Sequence, residues 1–198
     1  MLTFDPIKHE YSVNGTVLPS VTQILAPLSD FSMIAPDVLE HKRQIGVAVH
    51  RAIELSILVE LDKTSIAEEW RGYFVAWENF LIDSCTDEAD IGVGKPLHDP
   101  TLGFAGTPDV QLYINGRWAV VDVKTAETAH PAWALQTIAY KHLLNVNTPK
   151  GQHPILDRFA LKVREDGTYS LIQHKDKSDF NVLLSLLNVK KWRTANHV

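Results

Sequence analysis

Two aspartates and a lysine have the clearest potential for chemistry in this sequence. Asp109 ends the stretch Gly106-Thr-Pro-Asp109, and Asp122 and Lys124 lie in the run 118–125. If that run is a strand, residues two apart project from one face, so Asp122 and Lys124 stand side by side. The three valines around them are typical of a strand that is covered on both faces. Because buried charges are costly unless they meet each other or a metal ion, the pattern predicts an ion pair or a metal site.

A predicted hairpin brings the second carboxylate to the same place. Asn115-Gly116 between two apolar runs is the strongest short-range signal for a hairpin, so Asp109 is expected alongside Asp122 on an antiparallel neighbour. A carboxylate-x-lysine triplet has little specificity by itself, and Glu40-His-Lys42 is a second example in this chain. That triplet lies in or beside a predicted helix, where residues i and i+2 point in different directions. Only the strand triplet therefore remains a candidate site.

A histidine falls on the face of a predicted helix over 37–61. Gly46, His50 and Glu54 follow one another at intervals of four residues and share that face. The glycine allows another segment of backbone to approach closely. Taken alone, His50 is equally explained as a half-buried histidine with Glu54 as its ion-pair partner, and both interpretations stay open.

These motifs, in this order, resemble the PD-(D/E)xK nuclease superfamily and, within it, the RecB-like and bacteriophage-type exonucleases. The resemblance covers about two-thirds of the chain and is carried by Gly46-x-x-x-His50-x-x-x-Glu54, Gly106-Thr-Pro-Asp109, Asp122-Val-Lys124-Thr125 and Gln136-x-x-x-Tyr140, with the opening segment 18–25 also similar to phage exonucleases.

The resemblance implies a metal site with Mg²⁺ or Mn²⁺ as cofactor. It makes Asp109, Asp122 and the backbone carbonyl of Val123 metal ligands and His50 an additional ligand or a near neighbour of the metal, with Glu54 as a candidate supporting residue. It gives Lys124 the task of positioning the attacking water.

On the same grounds, Gln136 and Tyr140 shape the site and contact the DNA. Phosphodiester cleavage is consistent with these residues independently, because one or two carboxylates suffice to hold Mg²⁺ and a lysine can orient water or stabilise developing charge.

The function that follows is a metal-dependent DNA exonuclease, expected in phage DNA recombination or processing. Related proteins often carry a glutamate on the strand before the Pro-Asp motif, where this chain reads Gly94-Lys-Pro96. Gly94 in that place leaves one metal-linked carboxylate missing, and Glu54 and Asp99 are the candidates to compensate for it. The alternatives are therefore a catalytically weakened DNA-binding protein of the same fold and an endonuclease, sequence- or structure-specific, of the same superfamily.

The elements that position these residues predict an α/β fold, a restriction-endonuclease-like core with a central mixed β-sheet flanked by helices. We expect one nuclease domain over 1–198, with an N-terminal hairpin and short helix (1–34), a catalytic core (35–146) and a C-terminal hairpin and helix (147–198). Asp37 is the expected cap of the helix that carries His50. The further predicted elements are helices over 65–82, 131–144 and 178–192, strands over 91–97, 103–114, 155–163 and 169–174, and a turn over 98–102.

Basic residues around the site are the expected contacts to DNA phosphates despite a net charge of −5. Each is equally consistent with a solvated face. Tyr140 or Trp133 could stack on an unpaired base, or either could belong to the core. The candidate phosphate contacts are Lys42, Arg43, Arg51, Thr125 and Lys141, with His142, Lys190, Lys191 and Arg193 farther along the chain.

The composition of the sequence limits the kinds of cofactor site, cellular location and partner that we expect. With one cysteine, Cys85, we expect no internal disulfide, no four-cysteine zinc site and no iron–sulfur cluster. No apolar run approaches the roughly 20 residues that span a bilayer, and no signal-peptide pattern opens the sequence, so a cytoplasmic protein is expected, in the bacterial host if phage-encoded. Linear DNA ends are the expected partner, and a single-strand annealing protein and further copies of the chain are candidates. No membrane partner is expected.

Overall fold

The computed structural model of the protein describes residues 1–30, 32–84 and 91–198, which form ten strands and five α-helices. Cys85 lies outside these residues. In chain order the elements are β1 (Leu2–Asp5), β2 (Glu10–Val13), β3 (Thr16–Leu18), α1 (Val21–Leu25), α2 (Pro36–Ile57), α3 (Glu68–Ser84), β4 (Ile91–Val93), β5 (Leu97–Asp99), β6 (Phe104–Gly106), β7 (Val110–Ile114), β8 (Arg117–Lys124), α4 (Ala132–Asn147), β9 (Asp157–Val163), β10 (Tyr169–Gln173) and α5 (Asp179–Asn196).

A five-stranded mixed sheet with the order β10-β9-β8-β7-β4 forms the centre of the fold. Its pairs are antiparallel except β8 and β9, which are parallel and joined through α4, as a parallel pair requires a long crossover. Apolar residues of α2 and α3 pack with the sheet in one core cluster, and those of α1, α4 and α5 form a second. The predicted fold class, α/β with a central mixed sheet flanked by helices, is confirmed.

Short turns set the register of the central strands. Asn115 and Gly116 both adopt positive φ and join β7 to β8, so that Val110 pairs with Val121. Gly167, also at positive φ, turns the hairpin between β9 and β10. These two predicted hairpins are confirmed, because Asn and Gly tolerate the left-handed conformation that such turns need.

Several predicted boundaries were wrong. The strand expected over 103–114 is divided into β6 and β7, since Pro108 interrupts the pairing and has no N–H to donate. The strand expected over 91–97 ends at Val93, and β5 takes the first part of the expected turn at 98–102. Asp37 does not cap α2. Pro36, whose missing N–H costs nothing at the first helical position, begins it instead.

The N-terminal segment also differs from its prediction. It contains three strands rather than one hairpin, in the order β1-β2-β3, and Asn14 and Gly15, both at positive φ, join the last two. Ser20 caps α1 by accepting a hydrogen bond from the backbone N–H of Gln23, whose side chain in turn accepts the backbone N–H of Ser20. No helix within the described ranges is long and apolar enough to cross a membrane.

Gly94 is required by a close backbone approach. Its N–H donates to the carbonyl of Asp109 at 3.0 Å, and a Cβ at this position would lie 1.6 Å from the carbonyl oxygen of Pro108. No side chain fits there unless the backbone moves. A carboxylate is therefore excluded at this position for a local steric reason, because the chain leading to Asp109 occupies the space.

Gly94→Ala is accordingly expected to destabilise the protein by about 1–3 kcal/mol, and Gly94→Glu by more, rather than to add a metal ligand. Urea denaturation measures this loss. Gly92→Ala is the matched control, because a Cβ there meets only the flexible side chain of Gln111, at 2.9 Å. Equal losses at the two glycines would contradict the steric argument.

Candidate active site

Three elements bring the predicted residues to one point. Asp109 stands immediately before β7, Asp122 and Lys124 lie on β8, and His50 lies on α2. His50 Nε2 is 3.1 Å from Asp109 Oδ2, which also accepts the N–H of Val123 at 2.8 Å. Lys124 Nζ is 2.6 Å from Asp122 Oδ2. The antiparallel pairing of β7 with β8 and the periodicity of β8 produce this convergence.

His50 is held as an imidazolium by its surroundings. Nδ1 lies 2.7 Å from the carbonyl of Gly46, and Nε2 faces Asp109 and the carbonyl of Val123 at 3.0 Å, so both ring nitrogens meet only acceptors. Burial lowers the pKa of His50 most strongly, but the charge and hydrogen bond of Asp109 and the carbonyl of Gly46 outweigh it and raise the pKa to about 9. Glu54, the alternative partner, pairs with Arg51 at 2.6 Å instead.

Asp122 is the most constrained group of the site. Its side chain is 1% exposed, and neither carboxylate oxygen accepts a hydrogen bond of good geometry, although Lys124 is close. Burial, aided by the charge of Asp109 and opposed by that of Lys124, raises the pKa of Asp122 to about 6. For Asp109, burial acts in the same direction, but the charges and hydrogen bonds of His50, Lys124 and the Val123 N–H lower its pKa. Buried Asp122 and half-buried Asp109 thus differ in their need for a cation.

Lys124 is held from the other side by α4. Its Nζ donates to Gln136 Oε1 at 2.9 Å, and Gln136 Nε2 donates to the hydroxyl of Tyr140 at 3.2 Å. Tyr140 is buried, and burial raises its pKa well above the ordinary value, so it stays neutral. Trp133 is buried too. Of the two interpretations left open for these aromatic residues, packing agrees with their burial.

The donor set of this cluster is suited to a hard divalent cation. Mg²⁺ and Mn²⁺ take oxygen ligands of the kind that this cluster offers. They are the oxygens of Asp122, which lack hydrogen bonds of good geometry, the Oδ2 of Asp109 and the carbonyl of Val123, with His50 Nε2 beside them. No three His, Cys, Asp or Glu side chains within the described residues stand together as a complete metal site. Mg²⁺ is usually held by one or two carboxylates plus waters, so the residues present are consistent with it.

Most of the candidate DNA contacts have intramolecular neighbours. Lys42 lies 3.5 Å from Glu127, Arg43 pairs with Glu40 and Arg51 with Glu54 on α2, and Lys141 donates to the carbonyl of Leu156. Thr125 lies beside Gly46, since a Cβ on that glycine would be 3.5 Å from the threonine hydroxyl. Lys191 donates to the carbonyl of Leu102, and it lies with Lys190 and Arg193 on α5. Their contacts to DNA stay predictions.

Asp99 and His142 form a separate pair that sequence reasoning missed. His142 Nε2 lies 2.6 Å from Asp99 Oδ2, and Asp99 Oδ1 accepts the N–H groups of Thr101 and Leu102. The ring of His142 also packs beside Phe180, with centroids 4.8 Å apart. Asp99 is therefore committed to fastening the β5–β6 turn onto α4, and it does not supply the carboxylate missing at Gly94. The spacing of the two residues in sequence gave no signal for this contact.

This pair predicts an acid dependence of stability. Burial raises the pKa of Asp99, but the hydrogen bonds from His142, Leu102 and Thr101 outweigh it and lower the pKa below its usual value. The contribution of Asp99 is then present above its unfolded pKa, about 3.9, and is lost as the pH falls through the folded value. Asp99→Asn is expected to cost about 1–3 kcal/mol at pH 7 and much less near pH 3, measured by urea denaturation at both pH values. A loss that stays constant with pH would contradict this.

No protein-family model and no curated protein sequence matches the chain. Among solved structures it is similar to the crystal structure of an alkaline exonuclease, LHK-Exo, from Laribacter hongkongensis, with 13% sequence identity and a TM-score of 0.34 over 90% of this chain and 94% of that chain. A likeness at this level assigns neither a family nor a function.

Proposed function

We propose that this chain is a metal-dependent deoxyribonuclease of the PD-(D/E)xK superfamily that hydrolyses DNA from its ends. The observation that carries the proposal is Asp122, a buried carboxylate without hydrogen-bond partners that shares one point with Asp109, His50 and Lys124. Buried pairs of this kind contribute little to stability, so the arrangement calls for another reason. A divalent cation and a DNA phosphate are the partners that match its charges.

The residues of the cluster would have different roles in phosphodiester hydrolysis. Asp109, Asp122 and the carbonyl of Val123 would hold Mg²⁺ or Mn²⁺, together with His50 once its Nε2 has lost its proton. The metal ion would shield the phosphate charge and activate water. Lys124 would orient the attacking water or stabilise the charge that develops in the transition state. Gln136 fixes the direction of the lysine ammonium, because it accepts one of its three hydrogens.

A DNA-binding protein with weakened catalysis is the second candidate. It is favoured by Gly94, where the carboxylate common in related proteins has no room. Within the described residues, neither Glu54 nor Asp99 takes its place, since Arg51 and His142 hold them. The remaining ligands still suffice for one cation, and for this reason the enzyme comes first.

Cleavage assays on linear and on closed circular DNA distinguish these functions. End-labelled linear DNA is incubated with Mg²⁺, Mn²⁺ or EDTA beside a closed circle, and the position of the lost label gives the polarity. Metal-dependent loss of the linear form alone is the expected result. Cutting of the circle would point to an endonuclease, and a folded protein that binds DNA but leaves both substrates whole would establish the binding protein.

Lys124→Ala is expected to lower the cleavage rate by about 10²-fold or more while DNA affinity changes little, because the lysine acts on the water rather than on the strand. Lys162→Ala is the matched control, since Lys162 pairs with Lys124 in register on the neighbouring strand β9 and donates to the carbonyl of Glu127. Single-turnover cleavage and fluorescence anisotropy in EDTA give the two readouts. Loss of affinity together with cleavage, in a folded variant, would contradict this role.

The proposal includes a role in phage DNA recombination or processing. Degradation of linear ends is consistent with phage DNA recombination, in which a single-strand annealing protein would take up the product. Mass measurement in solution tests whether several copies of the chain work together.

A further inference from the structure

The N-terminal sheet, residues 2–18, presents an apolar face that is only partly covered. The pairing of Phe4 with Tyr11 and of Tyr11 with Leu18 places these side chains on one face, together with Leu2 and Val13. Tyr11 is buried, whereas the other four are half-buried. The sheet is thus anchored through Tyr11 and open around it.

The side chain of Tyr11 contacts the segment that leads to the candidate active site. The hydroxyl of Tyr11 lies 2.8 Å from that of Thr107, which precedes Asp109 by two residues. The ring of Tyr140, the residue that bonds Gln136 behind Lys124, lies against the same segment, since a Cβ on Gly106 would be 3.0 Å from it. The contact of Tyr11 with Thr107 therefore fastens the sheet to the segment that leads to Asp109.

Aromatic rings lie on this open part. The Phe4 ring packs on Tyr11 with centroids 4.6 Å apart, and His9 meets Phe4 edge-on at 5.4 Å. His9 is exposed at the tip of the β1–β2 turn, beside the exposed Lys8 and Ile7. Its backbone has φ 51°, a left-handed conformation that sets where the ring stands.

We propose that Phe4 and His9 form a stacking platform for unpaired bases of the DNA strand whose phosphate enters the site. The inference rests on the proposed function and narrows its substrate to a strand with unpaired bases at the end. Aromatic rings accept any base because every base has a π-face, as degradation without sequence preference demands, and Lys8 adds a cation for a phosphate. Bases inside a duplex have both faces covered, so they cannot use the platform.

Two substitutions test the platform. His9→Asn removes the ring but keeps a residue that tolerates positive φ, and Phe4→Leu removes the second ring, with Phe4→Trp as the variant that restores stacking. Ile7→Ala, at a side chain that is 94% exposed in the same turn, is the control. Anisotropy with a fluorescent single-stranded oligonucleotide and with its blunt duplex, both in EDTA, gives the affinities, and thermal unfolding monitors the fold.

Each ring removed is expected to weaken binding of the single strand roughly tenfold, while the blunt duplex, Ile7→Ala and Phe4→Trp change little. Unchanged single-strand affinity in a folded Phe4→Leu/His9→Asn variant, in a protein that does degrade linear DNA, would overturn the platform alone. If Phe4→Leu does not fold, the single-strand affinity of His9→Asn alone tests the platform in the same way. A wild type that neither cleaves nor binds DNA would overturn the proposed function and the platform with it.

Discussion

Asp122→Asn is expected to lower metal-dependent DNA cleavage by about 10⁴-fold, without lowering the free energy of unfolding of the metal-free protein. A bound cation contributes several kcal/mol to a phosphoryl transition state, and 1.36 kcal/mol corresponds to a factor of ten in rate. Among the residues that the structure describes, the substitution removes the one buried carboxylate whose oxygens lack hydrogen-bond partners. It therefore removes the group that the proposed cation needs most.

The effect of Asp122→Asn on the stability of the metal-free protein is expected to have the opposite sign. The folded pKa of Asp122, raised to about 6 mainly by burial, lies above that of an ordinary aspartate, so the ionised side chain costs folding free energy at neutral pH. Asparagine has nearly the same shape and no charge. Lys124 loses an ion-pair partner but keeps its hydrogen bond to Gln136. Loss of activity with stability retained or increased is typical of a residue kept for function.

Thermal unfolding with and without Mn²⁺ separates the two effects. The wild type is expected to unfold at a higher temperature with Mn²⁺, because a ligand that binds only the native state stabilises it, and Asp122→Asn is expected to show little such shift. Asp83→Asn, at the end of α3, is a control for removal of a carboxylate outside the cluster. A variant that is less stable in EDTA than the wild type would contradict the argument, and so would an unchanged response to Mn²⁺.

The convergence of the central residues could be predicted because each step follows from local rules. The periodicity of β8 places Asp122 beside Lys124, and the Asn115-Gly116 turn fixes the register that brings Asp109 alongside. The helical spacing of Gly46 and His50 predicts their common face, and the Nδ1 contact to the carbonyl of Gly46 agrees with it. Short turns and regular periods leave few alternative arrangements.

Other features depend on contacts between distant segments, and sequence reasoning could not supply them. From sequence alone, Gly94 is interpreted as a position that lacks a metal ligand. In the structure, the carbonyl of Pro108 occupies the space that a Cβ would need. Glu54 has the helical spacing of a partner for His50, yet Arg51, three residues away, takes it. The contact between Tyr11 and Thr107 spans 96 positions of sequence. No periodicity in the sequence predicts contacts of this kind.

Arg158 is another such residue, and its removal is the second large effect that we expect. It is 3% exposed on β9, and its guanidinium donates to the carbonyls of Ala134 and Asp176 and to the carboxylate of Asp179 at 2.5 Å. One side chain therefore ties β9 to α4 and to the start of α5. A buried arginine with this number of bonds cannot be replaced by an apolar side chain without leaving acceptors unpaired.

Arg158→Met is expected to cost about 3–5 kcal/mol of the free energy of unfolding, because the carboxylate of Asp179 stays behind without its partner. A loss of this size takes much of the roughly 5–15 kcal/mol that holds a protein of ordinary stability folded. Urea denaturation measures it. Arg117→Met is the matched control, since Arg117 is more than half exposed and lies 3.9 Å from Asp157, a pair worth at most about 1 kcal/mol.

The same substitution reaches the candidate active site through α4. Ala134, which accepts from Arg158, precedes Gln136 by two residues, so a displaced α4 would also displace the amide that directs Lys124. Folded Arg158→Met at low temperature is therefore expected to cleave DNA with a lower kcat, with affinity for DNA in EDTA retained. Equal losses of stability in Arg158→Met and Arg117→Met would contradict the part assigned to Arg158, and an unchanged kcat would show that α4 keeps its place without it.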